Sequence, residues 1–427
     1  MYSFFYPCYI LKLGIIEVLF LTMAEFNFEI IKKDRDTAAR AGIIHTRRGD
    51  IETPHFVPVA TLASVRALDS ADLKMLGAQC GLVNTYHLHL KPGDELIGRL
   101  GGTHKFMNFG KPLFSDSGGF QAFSLGLARE HNIGKIGNFF PEESASVEEI
   151  GNTPKAPKEN LTKITDKGVE FRSIYDGSLH FFDAKRSMEI QSSLDTDIIM
   201  AFDECTSPLS DKAYTKIAME RTHDWAKKSL EYHNKDQAIY GIVQGGFFRD
   251  LRDESVKAIG ALPFDGIAIG GSLGNTKRDM HEILEWVIPQ LDNRPRHLLG
   301  IGEIDDIFEC VGRGIDTFDC VAPTRIARRA NLYILPESGG KRENKFRINI
   351  SSAVHKEEVG PIDPACGCPT CRNYSRAYLR HLYLARELAY FRLATIHNLW
   401  FMLRLMEQVR ESIKDESFAE LKKKWLN

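Results

Sequence analysis

The sequence predicts an α/β fold, a (β/α)8 TIM-type barrel with an inserted C-terminal zinc-binding subdomain. Three observations carry that expectation. Short unbroken apolar runs ending in Gly, Asn, Asp or Gln recur from Phe56 onward, and such runs suit parallel strands buried on both faces. The stretches between them, 211–233 and 276–291 among them, have helical length and periodicity. Seven or eight such units favour a closed barrel over a doubly wound sheet. Beyond the last run the pattern changes, and Cys366, Cys368 and Cys371 crowd together.

Taken in order, residues 1–22 are apolar but interrupted by Pro7, Lys12 and Glu17, with no basic stretch leading them. They read as an upstream misassigned start or a non-core extension and not as a membrane segment. The barrel is expected over 23–340. Its strands are the runs 80–84, 112–116, 197–203, 238–244, 266–270, 297–301 and 315–319, joined by the one containing Phe56. Residues near 128–161 mix Gly, Pro, Ser and Glu with little periodicity and read as a surface insertion. Residues 341–427 are expected to hold the zinc-binding subdomain, with C-terminal helices completing the barrel. There Arg372, Arg376 and Arg380 recur at helical spacing, a stripe that suits either a solvated face or phosphate contact.

Composition limits the partners. Formal net charge is −2, from 55 basic and 57 acidic side chains, which excludes a general polyanion binder but allows a local basic patch. Eight cysteines in 427 residues are too few for a disulfide scaffold, and three of them are spaced as metal ligands. Both facts point to a reducing, cytoplasmic setting. No stretch beyond residue 22 is long and apolar enough to span a bilayer, so no membrane partner is expected.

In a barrel, polar residues at the carboxyl ends of different strands meet in one site. Asn84, Asp116, Asp203, Gln244, Gly271 and Asp319 would converge there. Asp319 closes an apolar run and is followed by Arg325, Arg328 and Arg329. A carboxylate nucleophile beside cations suits a phosphate-bearing substrate, although a helix cap and a solvated basic turn would use the same residues. Asp116 is followed by Gly118-Gly119-Phe120, where backbone can approach a ligand and a ring can lie on one. Asp203 adds an acid, Gln244 an amide that donates and accepts, and Gly270-Gly271 free N–H groups. Together they outline a pocket for a guanine-like edge. Cys366, Cys368 and Cys371 with His397 are the ligand types of a closed tetrahedral zinc, structural because no position stays open; His381 is a rival fourth ligand.

The segments SDSGGFQ, FDECT, IVQGG, GIAIGG, FDCVAPTR, CGCPTC and TIHNL, in this order, resemble the tRNA-guanine transglycosylases (queuine tRNA-ribosyltransferases) of the bacterial type. The likeness runs from residue 26 to the end, apart from the 128–161 insertion. It implies exchange of guanine at the wobble position of tRNA with a G-U-N anticodon for a free 7-deazaguanine base. By the resemblance Asp319 is the nucleophile on the ribose and Asp116 the general acid/base, as two carboxylates serve in retaining glycosidases. Asp203, Gln244 and Gly271 would read the base, Phe120 and Leu299 would pack on it, and Arg325, Arg328 and Asn84 would contact RNA. A homodimer with zinc on Cys366, Cys368, Cys371 and His397 is implied likewise. One departure bears on the incoming base. Where family members that take an aminomethyl base read GGLAVGE, this chain reads Gly270-Gly271-Ser272-Leu273-Gly274-Asn275, one residue shorter and without the glutamate. A roomier, less acidic pocket is expected, suited to queuine. A non-catalytic tRNA-binding partner subunit and an unrelated barrel glycosidase are the rival functions; the presence of both acids disfavours the first and the arginine set the second.

Overall fold

The computed structural model describes residues 26–120, 162–173 and 175–427. The expectations for 1–22 and for the 128–161 insertion lie outside the described residues. The chain opens with an antiparallel meander of β1 (Asn27–Lys33), β2 (Arg40–Thr46) and β3 (Gly49–Thr53). The barrel follows as β4 (His55–Ala60), β5 (Gly81–Val83) and β6 (Leu113–Ser115). A second meander of β7 (Thr162–Thr165), β8 (Gly168–Arg172) and β9 (Leu179–Phe182) then interrupts it. It resumes with β10 (Ile198–Met200), β11 (Ala238–Val243), β12 (Gly266–Ile269), β13 (Arg296–Leu298) and β14 (Thr317–Cys320). All eight strands are parallel to their neighbours, and β14 pairs with β4 to close the ring. The expected (β/α)8 architecture is present.

The barrel interior is filled from both strands and meander. Val57, Val59, Leu82, Phe114, Met200, Tyr240 and Ile242 pack with Ile44 and Ile51 of the first meander. That meander therefore plugs the amino-terminal end of the barrel, an arrangement the sequence reading did not foresee. Its anchor is ionic: Arg40 grips Asp316 with both nitrogens of one guanidinium edge, Nε and Nη2, at 2.9 and 2.6 Å, and both side chains are buried. Asp316, one residue before β14, thus belongs to the floor, while Asp319 points to the other end. Tyr240 fits inside because Gly266 beside it has no side chain; a Cβ there would come within 2.4 Å of the ring.

After β14, the strands β15 (Asn331–Tyr333) and β16 (Arg347–Asn349) pair antiparallel. They pack with Ile350, Ile362, Cys368, Cys371 and Leu379 in a small core of their own. The Leu388–Lys414 helix joins the two cores. Its first turns bury Tyr390, Leu393 and Ala394 against the cysteine cluster, and its later turns bury Met402, Met406, Val409 and Ile413 in the main core. No helix among the described residues is long and apolar enough to cross a membrane.

Candidate active site

The carboxyl ends of the strands gather the polar residues that the sequence singled out. Asp116 follows β6. The Thr85 N–H donates to its Oδ1 at 2.8 Å, the Asn84 amide donates to Oδ2, and the Gly118 N–H also favours its ionised form. Burial outweighs these donors, the Asp319 charge adds to it, and the carboxyl is pushed up to about 7. Asn84 has a second task. Its side-chain oxygen accepts the His87 N–H at 2.9 Å, which caps the Thr85–Leu90 helix. With both ends of its amide engaged and the residue buried, Asn84 orients Asp116 from within the fold and is not placed as an RNA contact.

Asp319 sits in β14 on the same rim. Its Oδ1 lies 3.1 Å from His297 Nε2 and accepts the Gly300 N–H at 3.0 Å. His297 is fully buried, and its Nδ1 lies 2.9 Å from the Thr317 hydroxyl. A carboxylate can only accept, so Nε2–H donates to Asp319. One oxygen of Asp319 is thus held by two donors, and the other has no hydrogen-bond partner among the described residues.

The residues expected to read a planar edge lie beside this pair. Asp203, after β10, accepts Ser117 Oγ–H and Gln244 Nε2–H, each at 2.7 Å, and burial raises its carboxyl to about 6. Gln244 Oε1 is buried with no partner among the described residues, so a donor on a bound base would satisfy it. Gly271 is obligatory at its place: φ is +76°, and a Cβ would lie 2.0 Å from Gln244 Oε1. Leu299 is half-buried, and Phe120 is 45% exposed at the edge of the site. Glu204, next to Asp203, does not face the pocket as a free acid. Tyr214 donates to one of its oxygens at 2.6 Å, and Arg221 pairs with the other.

Arg325 and Arg328 lie on the Ala322–Ala327 helix and at its end, half-buried and without carboxylate partners among the described residues. Burial, and then the nearby charges of Arg66, Arg325 and Arg329, lower the Arg328 pKa. That repulsion identifies a concentrated cationic patch, and Arg66, from the loop after β4, is a member that the sequence did not single out. The expected stripe of Arg372, Arg376 and Arg380 is not one face. The Pro369–Asn373 helix ends before Arg376, where Ser375 caps a new helix, and Arg376 and Arg380 are bonded to the carbonyls of Ile362 and of Ser351 and Ser352.

His297 and Arg252 were also missed. A lone polar residue opening the apolar run 297–301 was a signal for the first. Arg252 gave none, because RDLRDES looks like a solvated helix face.

Cys366, Cys368, Cys371 and His397 converge, with ligand atoms within 4.8 Å of one another. The three sulfurs lie 3.7, 3.4 and 3.3 Å from His397 Nδ1. A zinc tetrahedron with ordinary Zn–S and Zn–N bonds has S···N edges of about 3.6 Å, so the group fits a metal ion. His397 Nε2–H donates to the Tyr333 carbonyl at 2.7 Å, which leaves Nδ1 free to ligate. His381, the rival, is exposed and outside the cluster.

These features define a class: a (β/α)8 enzyme whose polar groups meet at the carboxyl ends of the strands, with an appendage whose three cysteines and histidine could hold a metal ion. The particular family follows from comparison. The family model described as queuine tRNA-ribosyltransferase matches residues 34–427. A putative queuine tRNA-ribosyltransferase of Archaeoglobus fulgidus is 55% identical over 389 residues, covering 91% of this chain and 96% of the relative. Queuine tRNA-ribosyltransferases of Caldanaerobacter subterraneus (44% identical; 95% of this chain, 98% of the relative) and a Roseiflexus species (42%; 93% and 98%) are also similar. The chain belongs to the queuine tRNA-ribosyltransferase family, whose members are pentosyltransferases.

Proposed function

We propose that this enzyme exchanges guanine at the wobble position of tRNA with a G-U-N anticodon for a free 7-deazaguanine base, through a covalent Asp319–ribosyl intermediate. The observation that carries this reading is the unequal pair of carboxylates on one rim. Asp319 is oriented through one oxygen only, and Asp116 keeps a proton near neutral pH. The free oxygen of Asp319 bonds to ribose C1′ as the bond from C1′ to guanine breaks, and the Asp116 proton passes to the departing purine. An incoming base returns a proton to Asp116 as its ring nitrogen displaces Asp319 from C1′. Asp203, Gln244 and Gly271 read the base, Phe120 and Leu299 pack on its faces, and Arg325 and Arg328 hold the neighbouring nucleotides. Zinc on Cys366, Cys368, Cys371 and His397 is structural.

The test is trapping on an anticodon stem-loop. Wild-type enzyme should form a covalent adduct with release of guanine. Asp319→Asn should bind the stem-loop nearly as well, form no adduct and exchange nothing. Near-normal turnover by Asp319→Asn would sink the assignment.

A specific observation favours queuine over its aminomethyl precursor. The 272–275 loop ends in Asn275, and the next acid, Asp279, is consumed by accepting the N–H groups of Asn275 and Thr276. With Glu204 tied to Arg221, no free carboxylate among these acids awaits an ammonium group. In a competition between the two bases, queuine should be incorporated preferentially; preference for the aminomethyl base would refute this part alone.

A further inference from the structure

Arg252 is fully buried and has no carboxylate partner among the described residues. It stands in the first turn of the Arg249–Gly260 helix, behind the strand ends of the base pocket. Its guanidinium is spent on main-chain oxygens. Nε donates to Gly246 at 2.8 Å, Nη1 to Val243 and Gly270 at 3.0 Å each, and Nη2 to Ser272 at 2.8 Å. Two of these carbonyls belong to the end of β11 and its loop, and two to the segment leaving β12. A single planar fork therefore joins the two segments that carry Gln244 and Gly271.

The consequence follows from peptide geometry. In a trans peptide the C=O and the next N–H point in opposite directions. Drawing the Gly270 carbonyl back onto Arg252 turns the Gly271 N–H away from the guanidinium, to the side where the Cys205 thiol receives it beside Asp203. Gly271, at φ +76°, has the freedom to adopt other orientations, so something must hold the one that is used. Burying a charge without a counter-ion is unfavourable, and burial pulls the Arg252 pKa down to about 9. A residue whose only task was to fill space would be apolar.

We propose that Arg252 is a positioning residue for base recognition, fixing the Gly270–Ser272 backbone so that the pocket presents its N–H groups to the purine edge. This rests on the transglycosylase reading above. Arg252 does not touch the base; it acts through the peptides that do.

The test uses the full chain with free guanine as the probe. Guanine affinity is measured for wild type, Arg252→Lys and Arg252→Gln, beside affinity for an anticodon stem-loop with an abasic wobble nucleotide, which bypasses the base pocket. Both variants should bind guanine at least tenfold more weakly, with stem-loop affinity within twofold of wild type. In exchange assays the KM for the base should rise while the KM for tRNA holds. Unchanged guanine affinity in a folded variant would overturn the proposal. So would an equal loss for guanine and abasic stem-loop, or failure of both variants to fold, because each would make Arg252 a general support of the barrel. Wild-type enzyme that releases no guanine from tRNA would instead overturn the transglycosylase reading.

Discussion

Asp116 is the residue whose chemistry is most exposed to experiment. Burial first, and then the Asp319 charge, raise its folded-state pKa to about 7, whereas an unfolded chain would titrate it at 3.8. On the proposed mechanism the protonated form releases guanine, so that form should be lost as pH rises through about 7. Single-turnover release should fall on the alkaline side with that midpoint. The same shift sets a stability trend: between 3.8 and about 7 the folded state holds a proton that the unfolded chain has lost, so Asp116 favours folding less as pH rises across this window. Asp116→Asn should lose both dependences and slow release by roughly 10²–10⁴-fold, the range for a general acid–base group. Asp319→Asn should lower the Asp116 midpoint, since it removes a like charge. Strand-end residues such as these were legible because an acid closing an apolar run is conspicuous. Arg252 was not, because its importance lies in which partner atoms it meets across the fold, and His297 showed only as a lone polar residue opening an apolar run.

At the scale of elements, the eight barrel strands were readable because burial on both faces leaves continuous apolar runs. The two meanders were harder to read. β1 reads NFEIIKK, with exposed and half-buried positions in alternation, and without its partners such a segment has no assigned place. The metal cluster was legible from ligand types, but the choice of His397 over His381 needed the helix that carries it. That helix gives a prediction. Cys368→Ser, or removal of the metal by a strong chelator, should loosen the core around β15 and β16 and weaken tRNA binding, because His397 and Asn398 bind the backbone of Tyr333 and Asn331 from the same turn. Metal analysis should find about one zinc per chain in active protein, as a single four-ligand site requires. Folded, active protein without zinc would contradict this.

At the scale of the molecule, a chain of net charge −2 has no global attraction for RNA, so the proposed function assigns its affinity to the patch formed by Arg66, Arg325, Arg328 and Arg329. If each of these meets one phosphate of single-stranded RNA, the logarithm of the association constant should fall with the logarithm of salt with a slope of roughly −3. Free-base binding should be insensitive to salt. Arg325→Ala should reduce the slope by about 0.7 and relax preference for the flanking uridines if it reads base edges as well. Unchanged discrimination on stem-loops with those uridines replaced would leave Arg325 a solvated surface cation.

The closure of the barrel sets the order in which it can be made. β4 pairs with β14, and the Leu388–Lys414 helix that buries its side chains against them is translated much later. At ~5–20 residues per second, β4 waits on the order of half a minute for that cover. A nascent chain halted before residue 388 has an unfinished barrel wall and three cysteine thiols without their histidine. The barrel wall and the four-ligand cluster are therefore completed only once the Leu388–Lys414 helix has emerged.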